Sequence, residues 1–477
     1  MIFVGLLCVC LSTPVDIDEW FTISLSGTPA GWNHSVESVV GDVRTVHADE
    51  TMTISRAGVE VTVRASTTWT DHLDGRPISM EWSQEMGGPP VRTIWTFKGE
   101  TVVVTTVQGQ RTSTAERPAP SVPWLTPSAG REFLKQRAEA GATEVQWRTL
   151  IPDLGLSPVL QKLTRFGEGT VEVRGRMLEV SKWSVQTEGL PVQMQSWFSK
   201  DWRPVVTTMQ APFGEVRSVL TDQATAMRIR GEPAPELFLS LFITPTGTIE
   251  DQLNATRAFM RLQTLDRSPL QLPASGGQSI AGVDGETTLL LVERDASLPA
   301  ARGEGSDAAY RNPSTMIDSG DEAVLALAES STKSLPPEAS QRERAESARQ
   351  AVHAWITNKG LATAFASASE TVRNRQGDCS EHGVLLAAVL RAEGIPSRVA
   401  SGLVWMGSVG AFGWHMWTQA LIDGAWVDLD ATLPVPFTVG HILVATSSLE
   451  DGDGQRQLMA LLGLLGNLEI EIVRVDR

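Results

Sequence analysis

The stretch RQGDCSEHGVLLAAVLRAEGIPSRV, residues 375–399, limits the possible folds more than any other part of this chain. Val384 to Leu390 is apolar with no polar face, so a helix here has to be buried all round, at the centre of a domain. Gly394 and Pro396 end it. Asp378, followed three residues later by Glu381, has the pattern of a capping box, which makes Cys379 the first helical residue. The sulfur then lies beside backbone N–H groups that have no intrahelical partner, at the positive end of the helix dipole. A helix terminus favours a nearby anion by roughly 0.3–1 kcal/mol, whereas one pKa unit represents ~1.4 kcal/mol. The helix alone therefore does not ionise a thiol, and an imidazolium has to complete the activation.

The chain has seven histidines. His34, His47 and His72 fall in a β-rich N-terminal part, and His353 adjoins the apolar stripe Ala348, Val352, Trp355 and Ile356 of an earlier helix. His382 is on the cysteine's own helix, where a structural role fits better. His441, in the loop-like FTVGHILVA, has no acidic neighbour. His415 lies in FGWHMWTQALIDGAWVDLDATLP, residues 412–434, a β-hairpin pattern with Asp423-Gly424 as its type I′ turn. That turn pairs residue 422 with 425, 418 with 429 and 417 with 430. Trp414, Met416, Thr418, Ala420, Ile422, Val427 and Leu429 share a core face, while His415, Trp417, Gln419, Trp426, Asp428 and Asp430 share the other. Asp430 is diagonal to His415, where Cα separations are ~7–8 Å, a span that an imidazole and a carboxylate bridge. Asp428 pairs with Gln419, too far along the strand. Cys379, His415 and Asp430 thus form a thiol–imidazole–carboxylate set. The carboxylate fixes the imidazole tautomer and stabilises its cation, which keeps the sulfur anionic and later protonates a departing amine.

The blocks GDCSEHGVLLAAVLRAEGIPSRV and GWHMWTQALIDGAWVDLDAT, in that order, resemble the transglutaminase-like superfamily over about residues 340 to 445. The resemblance implies an α+β domain similar to papain-type cysteine proteases, with a cysteine-bearing helix packed on an antiparallel sheet. Members use Cys, His and Asp in that chain order for acyl transfer from amides. Some cross-link proteins, some hydrolyse peptides or other amides, and some have lost activity. The resemblance puts the nucleophile at Cys379, the base at His415 and the orienter at Asp430, with no cofactor and no metal. The Cys379 backbone N–H would be one oxyanion donor, with Gln376 or Trp355 as candidates for a second.

At 477 residues the chain is long enough for about three domains. Residues 1–18 contain MIFVGLLCVCLSTP, too short to span a bilayer; it resembles a leader segment for export to the periplasm or the exterior, or else forms a buried strand in a cytoplasmic protein. Residues 19–232 form an antiparallel β-rich domain, interrupted by the proline-rich RPAPSVPWLTPSAG and the helix-like REFLKQRAEAG. Residues 233–335 form a small β module, with ELFLSLFI and TTLLLVER as strands and 298–321 as a surface connection. Residues 336–477 are the transglutaminase-like domain, in which LMALLGLLG, 458–466, fits a short buried helix rather than a membrane span.

With Cys8, Cys10 and Cys379 the only cysteines, a disulfide framework is excluded. Net charge of −16 without a Lys/Arg block argues against nucleic acid as a partner. The partner expected is a protein or peptide substrate, and the sequence leaves the oligomeric state open. A transglutaminase-like binding module without activity is the alternative to an enzyme. A metal site of Cys379, His382 and His415 is a weaker third reading, since no second Cys-x-x-Cys pair accompanies them.

Overall fold

The structure is a computed structural model that describes residues 15–56, 59–86, 90–109, 111–190, 192–211, 214–228, 234–235, 242–360, 365–451, 464 and 466–477. Most of the leader segment and most of 458–466 lie outside these residues, as does ELFLSLFI except for its last two positions.

A 14-stranded antiparallel sheet occupies Val15 to Thr221. Strands adjacent in sequence pair throughout, apart from one junction. Val15–Leu25 joins Thr28–Val40 on one side and Gly214–Thr221 on the other, tying the two halves into one sheet. The edges are Arg111–Pro118 and Glu144–Thr149. Between them the chain runs through the proline-rich stretch and the helix Pro127–Glu139, which starts where the Thr126 hydroxyl accepts the Ala129 N–H. Tryptophans supply much of the packing here: Trp69 and Trp95 are buried with Trp82 and Trp124, and Trp183 with Trp147 and Trp202. Large rings cover a broad sheet face with few residues.

The remaining strands make two smaller sheets that pack against each other. One runs Gln278–Asp284, Thr287–Glu293, Arg257–Thr264, Leu468–Asp476. The other runs Leu298–Pro299, Ala425–Leu429, Ala411–Ile422, Ser397–Met406, His441–Ser447. The helix Cys379–Ala392 lies on one face of this five-stranded sheet, surrounded by the helices Glu322–Thr332, Gln341–Trp355 and Ala368–Asn374. The opposite face, including Leu403, Phe412 and Trp417, is covered by Met260, Leu262 and Leu290 of the four-stranded sheet. Both faces of the His415 hairpin are therefore buried. The connection 298–321, expected on the surface, is mostly exposed as far as Pro313 and then turns largely inward. Ile317 and Asp318 are fully buried, because Asp318 accepts the Ser369 N–H and holds the start of helix Ala368–Asn374.

Candidate active site

The cysteine helix begins at Cys379, with Asp378 as its N-cap and a complete capping box. Asp378 accepts the Ser380 N–H at 2.9 Å, and Glu381 returns a bond to the Asp378 N–H at 2.8 Å. Glu381 is fully buried and also accepts the Ala366 N–H. Burial first, and then the Asp378 charge, push its carboxyl up to about 7. Gly377 is required just before this turn: a Cβ there would stand 2.2 Å from the Glu381 Cβ. The cap leaves Cys379 partly exposed at the rim of the helical core, a free thiol.

The hairpin turns through Asp423 and Gly424, both with positive φ (52° and 79°), as a type I′ turn requires. Ile422 faces Ala425 and Thr418 faces Leu429. Asp430 follows directly after the second strand and is fully buried. His415 Nε2 donates to Asp430 Oδ2 at 2.8 Å. The helix is registered on this strand by the Thr418 hydroxyl, which donates to the Gly383 carbonyl at 2.9 Å. Gly383 permits the approach, since a Cβ there would lie 3.3 Å from the Trp417 carbonyl oxygen. One helical turn back from Gly383, Cys379 is brought close enough to His415 for the sulfur to act on the ring's charge. With Nε2 committed to Asp430, Nδ1 is the ring nitrogen left for sulfur.

Burial opposes a charge on the His415 ring. Asp430, through its charge and its hydrogen bond, outweighs it, with Cys379 adding to the same side, and the imidazole is raised to about 10. Burial likewise acts to raise Asp430, but His415 and His441 hold its carboxyl well below its ordinary value. The arrangement favours an imidazolium held against the Asp430 carboxylate.

Three residues that support Asp430 escape the sequence reading. Asp430 Oδ1 accepts the Thr432 N–H at 2.7 Å and the Thr432 hydroxyl at 2.6 Å. Oδ2 accepts His441 Nε2 at 3.1 Å as well as His415. Buried Arg349, held by Glu346, donates to the Asp430 and Leu433 carbonyls. His441, read as loop, starts an edge strand; the fold supplies the acidic neighbour missing from its sequence surroundings.

The other candidates have separate duties. His382 is buried with Nδ1 at 2.6 Å from the Asp378 carbonyl, and burial lowers its pKa to about 4, leaving a neutral ring. His353 bonds the Ala431 carbonyl. His34, His47 and His72 contact Asp18, Asp49 and Asp42 in the large sheet. The Trp355 N–H donates to the Val372 carbonyl, which removes it as an oxyanion donor. Gln376 is partly exposed, its backbone bridged to Asn358. Asp428 accepts from Trp417, Gln419 and the Gly277 N–H, fastening one small sheet to the other. The metal-compatible grouping among the described residues is His415, Asp430 and His441, with ligand atoms within 4.8 Å of one another, rather than Cys379 with His382.

Residues 326–431 match the family model of the Transglutaminase-like superfamily. This part of the chain is transglutaminase-like. The transglutaminase-like segment contains Cys379, His415 and Asp430, whereas the large N-terminal sheet and His441 lie outside it. No curated protein matches the chain. Among solved structures, a candidate cysteine protease from Cytophaga hutchinsonii is 17% identical, with 46% of this chain and 86% of that one covered and a TM-score of 0.30. A candidate protease from Parabacteroides distasonis ATCC 8503 is 11% identical, with 82% and 70% covered and a TM-score of 0.19. Similarities this partial decide nothing about activity. No helix among the described residues is long and apolar enough to cross a membrane.

Proposed function

We propose that the chain is a cysteine-dependent acyl-transfer enzyme acting on peptide or protein amides through an acyl-thioester. The observation that carries this reading is one imidazole bonded at 2.8 Å to the buried Asp430 carboxylate and close enough to Cys379 to feel its sulfur.

The Cys379 thiolate attacks the amide carbonyl carbon, and the new C–S bond displaces the C=O π electrons onto oxygen. The Cys379 backbone N–H, at the first helical position and so outside the helix's own ladder, is the donor assigned to that oxyanion. The His415 imidazolium gives its proton to the leaving nitrogen as the C–N bond breaks, and the acyl group stays on sulfur. His415, now neutral, takes a proton from water or from an acceptor amine as either attacks the thioester, and the thiolate departs. Asp430 keeps the ring in one tautomer through both halves. In this scheme residues 336–477 carry the chemistry, and the sheet of 19–232 presents the chain to be cut or joined.

The test is alkylation of Cys379 by iodoacetamide at pH 6.5. The wild type should react faster than a free thiol, and His415→Ala should remove that advantage; equal rates in the two proteins would remove the scheme's support. Fluorescent-amine incorporation run beside peptide cleavage then separates cross-linking from hydrolysis.

A further inference from the structure

We infer that His441 is a positioning residue of this site, its ring N–H holding the Asp430 carboxylate in line with His415. The inference deepens the acyl-transfer reading and rests on it. His441 is 1% exposed and opens the strand His441–Ser447, which pairs with Ser397–Met406. Its Nε2 is 3.1 Å from Asp430 Oδ2, the oxygen that also receives His415 at 2.8 Å.

The proton on that nitrogen is required by Asp430, whose ionised carboxylate can only accept. His441 Nδ1 lies 3.0 Å from the Thr438 carbonyl oxygen and 3.1 Å from the Thr438 hydroxyl. A charged ring donates from Nδ1 to the carbonyl, whereas a neutral ring accepts the hydroxyl proton there. The neutral tautomer with hydrogen on Nδ1 would set a bare Nε2 against the Asp430 carboxylate, so the charged form and the Nε2–H tautomer are the two that fit. The ring cannot easily swing away. It stacks on Phe437 at 4.5 Å between centroids and meets Trp417 edge-on at 5.1 Å.

The effect on Asp430 follows from its lone pairs. Thr432 fills Oδ1 with two donors, and His415 with His441 fills Oδ2, so the carboxylate has one orientation with all four sites used. Without His441, Oδ2 would be fixed by the same histidine whose tautomer it has to set. A histidine that merely satisfied the core would make similar contacts, but its loss would not act through Asp430. That difference is measurable.

The experiment is a double-mutant cycle read by the rate of Cys379 alkylation at pH 6.5 in the full chain. His441→Phe should slow alkylation by about tenfold, within the range of direct couplings. His441→Gln, which keeps an amide donor, should recover most of that loss. In an Asp430→Asn background His441→Phe should have no further effect. Where phenylalanine prevents folding, His441→Asn, whose amide is too short to reach Asp430, takes its place. A wild-type rate in His441→Phe, or an equal slowing in both backgrounds, overturns the inference. His415→Ala separates the two levels: if it leaves alkylation unchanged the acyl-transfer reading itself fails, and if it slows alkylation while His441→Phe does not, only the role of His441 falls.

Discussion

Asp430 has no exposed surface, and its charge is held by four donors from three side chains and one backbone group. Asp430→Asn keeps the shape but presents an amide N–H where His415 needs an acceptor, and amide turnover should fall by roughly 10²–10⁴-fold in steady-state assays. The pair also sets a pH signature. His415 is raised from 6.5 to about 10, so its contribution to stability is complete below pH 6.5 and is lost as pH rises through about 10. Asp430 is lowered from 3.8, so its contribution is present above that value and is lost as pH falls further. Thermal denaturation of wild type and His415→Ala should therefore converge between pH 6.5 and 10. The contact of His415 with Asp430 and the start of the helix at Cys379 were legible because a type I′ turn and a capping box are local patterns with fixed geometry. His441 was not: its carboxylate is reached over a connection containing Pro434 and Pro436, and no spacing rule predicts where such a loop returns.

The start of the cysteine helix is a tightly filled element, and two substitutions probe it. Glu381→Gln keeps the volume but turns one acceptor oxygen into a donor, so either the Ala366 or the Asp378 N–H loses its partner. A loss of about 1–3 kcal/mol is expected in urea unfolding. Gly377→Ala drives a methyl into the Glu381 side chain and should displace the cap, lowering both stability and the alkylation rate of Cys379. The capping pattern was readable in Asp378 and Glu381. The burial of Glu381 was not, because it depends on Ala366, from a segment with no local pairing signal toward this helix.

Across the whole molecule, the edge of the large sheet reaches the helices beside the candidate site. Arg111 pairs with fully buried Asp318 at 3.2 Å and with Asp321, and Gln108 bonds Glu370 on the helix preceding the cysteine. Arg111→Ala leaves Asp318 with less compensation and should destabilise the fold by about 1–3 kcal/mol, measured by chemical denaturation. The β-rich character of 19–232 was plain from alternation, yet the pairing of Val15–Leu25 with Gly214–Thr221 had no turn to announce it. The same holds for Leu468–Asp476, which pairs with Arg257–Thr264 and helps to cover the back of the His415 sheet. A ribosome makes this chain from one end. Leu468–Asp476 leaves the exit tunnel after every residue of the candidate relay, so the layer behind His415 stays unfinished until that strand has emerged.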